Sequence, residues 1–180
     1  MPLLEHINLA GCDLEDQGLD VICGSLMKHE HIKHLDFSGN GLSEYGVSSD
    51  SPFIQLMKQV STNLETLNME DNALTSEGVR NMTDVFPRGS VLVELRLANT
   101  DCGSDCVHPL IQNIIHLLPT LKYLDLNDNF LSNEAKDRLR GQFGDVLQKL
   151  DDNVDDSDFQ DVSQEEEEEE KEEDLTQMLF

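Results

Sequence analysis

No run of apolar residues in this 180-residue sequence is long enough to cross a membrane, so insertion as a spanning helix is excluded. No basic stretch followed by an apolar core opens it, so no secretory signal is visible. Basic residues are scarce: 12 Lys and Arg stand against 37 Asp and Glu, for a net charge of −25. So acidic a chain is not expected to bind nucleic acid, whose phosphates demand cations. Cysteines are few. Cys12, Cys23, Cys102 and Cys106 are scattered and, with no signal in view, are expected as reduced thiols of a cytosolic or nuclear protein. No second ligand pair matches the spacing of Cys102 and Cys106, so no metal site is expected. The phosphate-binding glycine loop, H-E-x-x-H and G-x-S-x-G are all missing. His6, His29, His31, His34, His108 and His116 read as surface or packing residues. Neither a catalytic residue nor a cofactor is expected.

What is present is one pattern, five times over. Leu121 to Leu131 reads L-x-x-L-x-L-x-x-N-x-L. Ile32 to Leu42 and Leu64 to Leu74 repeat it with Asn40 and Asn72 in the asparagine slot. Leu92 to Cys102 puts Thr100 in that slot, and Leu4 to Leu14 puts Cys12 there. Successive first positions are 28, 32, 28 and 29 residues apart. Within each motif a period of two predicts a strand, near residues 6–9, 34–37, 66–69, 94–97 and 123–126. The slot asparagines Asn40, Asn72 and Asn129 suit a tight turn, where an amide can satisfy backbone groups left unpaired by the bend.

A helical stretch follows each strand. Leu19, Ile22, Cys23 and Leu26 have helical spacing in the first repeat. The second carries extra residues around Glu44 to Asp50. Its helix is predicted to start with Ser51 as N-cap and Pro52 in the first turn, burying Phe53, Leu56, Met57 and Val60. In the third, Ser76 and Glu77 open a helix with Val79, Met82, Val85 and Phe86 on one face, ended by Pro87 and Gly89. In the fourth, Leu110, Ile111, Ile114, Ile115 and Leu118 face the core, and Pro109 delays or kinks the start. The fifth uses Ala135, Leu139, Phe143 and Val146, weakened by Gly141 and Gly144.

The repeats resemble leucine-rich repeats of the longer, ribonuclease-inhibitor type, which implies an α/β solenoid with five parallel strands inside and helices outside. The concave face is then readable as three columns: His6, His34, Thr66, Glu94, Tyr123; then Asn8, Asp36, Asn68, Arg96, Asp125; then Ala10, Ser38, Glu70, Ala98, Asn127. The candidate partner contacts are His34, Asp36, Asn68, Glu70, Glu94, Arg96, Tyr123 and Asp125. The expected domains are a repeat body over residues 1–150 and a disordered acidic tail over 151–180. The tail holds 15 acidic residues and one lysine, leaving 22 acidic and 11 basic residues in the body. It ends in Leu175, Met178, Leu179 and Phe180, one apolar face if helical, which reads as a short docking motif. No polar capping segment precedes Leu4, so the chain is expected to be the C-terminal part of a longer solenoid, or else to pair its bare end with another molecule.

The passage from the last repeat into acid, Leu121 to Glu170, is similar to the Ran GTPase-activating protein family, especially its plant-type members. There the final motif is followed by Ser-Asn-Glu-Ala, a helix, Leu-Gln-Lys-Leu-Asp-Asp-Asn and the Asp/Glu tract. The resemblance implies a crescent that binds the small GTPase Ran and positions Ran's own catalytic glutamine, without an inserted arginine finger. It implies nucleocytoplasmic transport as the setting, and the cytoplasm, nuclear envelope or nucleus as the place. The family's critical arginine and asparagine match no position here. Other proteins are expected to engage the concave face as well. Two alternatives stay open: a non-catalytic scaffold, such as a repeat segment of an immune-receptor-like protein, and an actin-capping repeat domain like that of tropomodulin.

Overall fold

The computed structural model describes residues 3–148 and 150. Strand and helix alternate along the chain: β1 (His6–Asn8), α1 (Glu15–Leu26), β2 (His34–Asp36), α2 (Pro52–Val60), β3 (Thr66–Asn68), α3 (Thr75–Thr83), β4 (Glu94–Arg96), α4 (Val107–Ile114), β5 (Tyr123–Asp125) and α5 (Asn133–Phe143). The strands form one parallel sheet in the order β1-β2-β3-β4-β5. His6 lies opposite His34, His34 opposite Thr66, Thr66 opposite Glu94, and Glu94 opposite Tyr123. The predicted columns are therefore the register of the sheet, and the chain is an α/β leucine-rich-repeat solenoid. Residues 151–180, expected to be disordered, lie outside the described residues.

The core lies between sheet and helices. Leu35, Leu67, Leu95 and Leu124 point into it from successive strands and are buried, and Phe37 meets Phe53 edge to face at 6.1 Å. The Ser51 side chain accepts from Ile54 N at 3.2 Å, and Pro52 follows as the first residue of α2, as expected. The extra residues of the second repeat pack inward too: Val47 is buried, and a Cβ on Gly78 would come within 2.7 Å of its Cγ2.

The slot asparagines hold the repeats together. Asn72 Oδ1 accepts from Asn40 N at 3.1 Å and Leu42 N at 3.0 Å, while its amide donates to Phe37, Met69 and Glu70 carbonyls. Asn40 does the same toward Cys12 and Leu9, and Asn129 toward Thr100, Cys102 and Leu97. All three are buried, so each satisfies polar groups that water cannot reach. Thr100 fills its slot with a shorter reach, its hydroxyl lying 2.9 Å from Leu97 O within its own repeat.

Three expectations need correction. α3 ends at Thr83, whose hydroxyl donates to Val79 O at 2.8 Å, so Val85 and Phe86 pack from the turn beyond it. α4 does not start late; a 3-10 turn at Ser104–Cys106 leads into it, and Pro109 sits in the first helical turn, where no N–H is needed. The four cysteines are not all reduced. Cys12 and Cys23 are free, but Cys102 and Cys106 form a disulfide with their Cα atoms 6.4 Å apart. In the first three repeats these two places hold Leu14 with Gly18, Leu42 with Gly46, and Leu74 with Gly78. A Cβ on Gly18 or Gly78 would lie 3.2 Å from the leucine Cβ. Cysteines placed there are already within bridging reach.

Candidate functional site

The concave face is the sheet surface that no helix covers. Its polar side chains are organised by the turn that follows each strand. Asn8, Asp36, Asn68 and Asp125 each accept the backbone N–H two residues on, from Ala10, Ser38, Glu70 and Asn127, at 3.0–3.1 Å. These are side-chain turns that Asn and Asp make readily. Arg96 has no such oxygen and projects across the face instead.

The eight predicted residues all lie on this face, in two groups. Around β4 and β5, Arg96 pairs with Glu94, reaches Glu70 at 4.0 Å and lies over the Tyr123 ring at 4.7 Å. The Tyr123 hydroxyl donates to Asp125 Oδ2 at 3.1 Å. A cation between two carboxylates and an aromatic face is held by charge and by the ring quadrupole together. Burial raises the Glu70 carboxyl above its ordinary range, with Arg96 opposing and Asp125 adding to the shift. Burial likewise raises the Tyr123 phenol, helped by its hydrogen bond to Asp125. The bond to Glu94 keeps Arg96 protonated more firmly still.

Around β1 to β3, His34 stacks on His6 at 4.0 Å and its Nδ1 lies 2.9 Å from Thr66 Oγ1. Asp36 accepts from Asn8 Nδ2 at 3.1 Å and from the Ser38 hydroxyl at 2.7 Å. Asn68 Oδ1 accepts from Glu70 N in its own turn. A shallow groove of about 380 Å³ joins the two groups, lined by His6, His34, Asp36, Asn68, Glu94 and Arg96 among others.

Sequence reading placed His6, Asn8 and Thr66 in the columns but passed over them as contacts. The register puts each beside a candidate 28 to 32 residues away. A further signal went unread: the eighth motif position is Gly11, Gly39, Asp71, Asn99 and Asp128, and all five have positive φ. Gly, Asn and Asp tolerate that left-handed turn best. Among the described residues, no helix is long and apolar enough to cross a membrane, and no three His, Cys, Asp or Glu converge to hold a metal ion.

Comparison with known proteins agrees with this architecture. The "Leucine Rich repeat" family model matches residues 1–23, 28–49 and 60–82. Mouse ribonuclease inhibitor is 28% identical over 137 residues, covering 76% of this chain and 29% of its own length. Protein NLRC5 of Ictalurus punctatus is 25% identical, over 72% of this chain and 8% of its own length. The chain thus spans under a third of these relatives. Among solved structures, the tropomodulin C-terminal domain of Caenorhabditis elegans superposes with a TM-score of 0.64 at 18% identity, covering 79% of this chain and 84% of that domain. The chain is therefore built of leucine-rich repeats, similar in sequence to ribonuclease-inhibitor-type proteins and in fold to the tropomodulin domain.

Proposed function

We propose that this chain is a protein-binding module without a catalytic centre of its own, gripping its partner with the concave face of the sheet. The observation that carries this reading is the cluster of Arg96, Glu94, Glu70, Tyr123 and Asp125. It is an arranged group of charged and aromatic side chains on a face with no other occupant among the described residues. Preorganised aromatic and arginine side chains are the usual anchors of protein interfaces. Ran is the partner to test first, because the resemblance at the repeat-to-acid junction points there. In that reading the chain binds Ran weakly through charge, and stimulates GTP hydrolysis poorly, since the family's critical residues match no position here. Its place is then the cytoplasm or the nuclear envelope.

Pull-down of GTP-loaded Ran, followed by single-turnover hydrolysis with and without the full chain, tests the proposal. The expected result is salt-sensitive capture that Tyr123→Ala weakens, with little acceleration of hydrolysis. Strong acceleration means the activating residues lie within these five repeats. Capture of a ribonuclease or of actin in place of Ran keeps the concave-face reading and discards Ran. Partner capture that is indifferent to Tyr123→Ala overturns the concave face itself.

A further inference from the structure

The four side-chain turns on the concave face need an oxygen and not a charge. Asn8 and Asn68 make the turn as amides; Asp36 and Asp125 make it as carboxylates, at the same distance within 0.1 Å. The negative charges of Asp36 and Asp125 are therefore surplus to the turns. Asp125 is only 7% exposed, and a carboxylate stripped of water wants a counter-charge. The donors to its carboxylate are neutral, the Tyr123 hydroxyl and the Asn127 backbone N–H. Asp36 likewise meets the Asn8 amide and the Ser38 hydroxyl. The one cation in the three columns, Arg96, is committed to Glu94 and Glu70.

We infer that the concave face is built to receive two cationic side chains of a protein partner, one at Asp125, the other at Asp36. This rests on the proposal that the concave face is the partner surface. The two positions are three strands apart, about 14 Å at the usual strand spacing. That is the separation of residues four apart in an extended segment, so a peptide with arginine or lysine at the first and fifth positions fits. Arg96 displays the same chemistry within the chain: a guanidinium between carboxylates and over Tyr123. A charged donor from the partner neutralises Asp125 through a charge-assisted hydrogen bond.

The chain has no tryptophan and two tyrosines, so Tyr45→Phe leaves Tyr123 as the sole emitter at the site. The probe is a glycine-flanked Arg-Ala-Ala-Ala-Arg peptide, titrated into full-length Tyr45→Phe protein. The expected result is a saturable change in Tyr123 emission. The Asp36→Asn/Asp125→Asn double variant should weaken binding at least tenfold and still unfold cooperatively, because asparagine already makes this turn in two repeats. A peptide with both arginines replaced by glutamine should not bind. Unchanged affinity in the double variant overturns the inference, as does capture of the peptide by residues 151–174 with no response at Tyr123. The partner identified by pull-down separates the two proposals. If Tyr123→Ala abolishes its capture but the Asn double variant does not, the cation sites fall and the concave-face reading stands. If neither changes capture, that reading falls.

Discussion

Repeats 1 and 5 carry the same motif, yet one is open on its outer side and the other is closed. At the far end, Gly144 with φ +51 stops α5 and turns the chain back. Gln148 N then donates to Leu124 O at 2.8 Å, giving β5 a partner on its outer edge, and Leu150 is buried behind it. At the near end, β1 has no outer partner among the described residues. Leu3 and Leu4 are exposed, and Ile7 and Leu9 are only half-buried. Apolar surface stabilises the fold by roughly 25 cal/mol for each Å² removed from water. An inward-pointing residue at the open end therefore contributes less than its counterpart inside the stack. The motif specifies direction; the neighbouring repeat specifies burial.

The sharpest break in this comparison comes from core truncation. Leu124→Ala should cost about 2–5 kcal/mol, and Ile7→Ala about 1–2 kcal/mol because its site is already half open. Urea denaturation of the two variants measures the difference, and equal losses would mean that repeat 1 is as well packed as the rest. Next is the asparagine slot. Asn72→Ala removes the acceptor of Asn40 N and Leu42 N and should cost roughly 1–3 kcal/mol. Cys12→Ala, in the same slot of repeat 1, should change stability by no more than about 0.5 kcal/mol. An unshifted midpoint for Asn72→Ala would sink the role given to the ladder.

A smaller effect follows from Glu70. Burial raises its carboxyl in the folded state, so the folded chain holds this proton more tightly than the unfolded chain. Its ionisation thus removes stability as pH rises from the ordinary carboxylate range through the raised value, and removes none below that range. Glu70→Gln should flatten this decline in thermal midpoint as pH rises above about 4. A decline as steep as in the parent would assign it to other groups. The smallest effect is chemical and leaves the fold intact. The Cys23 thiol is pushed up to about 12 by burial, with Asp20 adding to it. Alkylation at about pH 8 should label exposed Cys12, spare Cys23, and reach Cys102 and Cys106 only after reduction in denaturant. Labelling of Cys23 at the rate of Cys12 would show that repeat 1 opens as a whole.

The strand positions were readable because the motif's period of two and its 28–32-residue spacing are local facts. The α2 start was readable because Ser51 followed by Pro52 is a local chemical signal. The extent of α3 was misjudged because a helical face can be continued by a turn, as Val85 and Phe86 do beyond Thr83. The candidate site was legible as columns and not as contacts. His34 and Arg96 look alike in the sequence as isolated polar residues on strands. Only the register shows one stacked on a histidine and the other spanning two carboxylates and a ring.

By itself the sequence determined which side chains face the core, which line the concave face, and where the backbone bends. Those choices follow from alternation within a strand and from turn chemistry within a few residues. The tertiary structure alone decided what depends on distances between repeats. It brought Asn72 to the Asn40 and Leu42 amides, sank Asp125 to near-complete burial, and left Asn127 Oδ1 without a donor. It also abutted Cys102 and Cys106 where the first three repeats keep a leucine and a glycine. Each reflects packing of one element against another, which no window of the sequence contains.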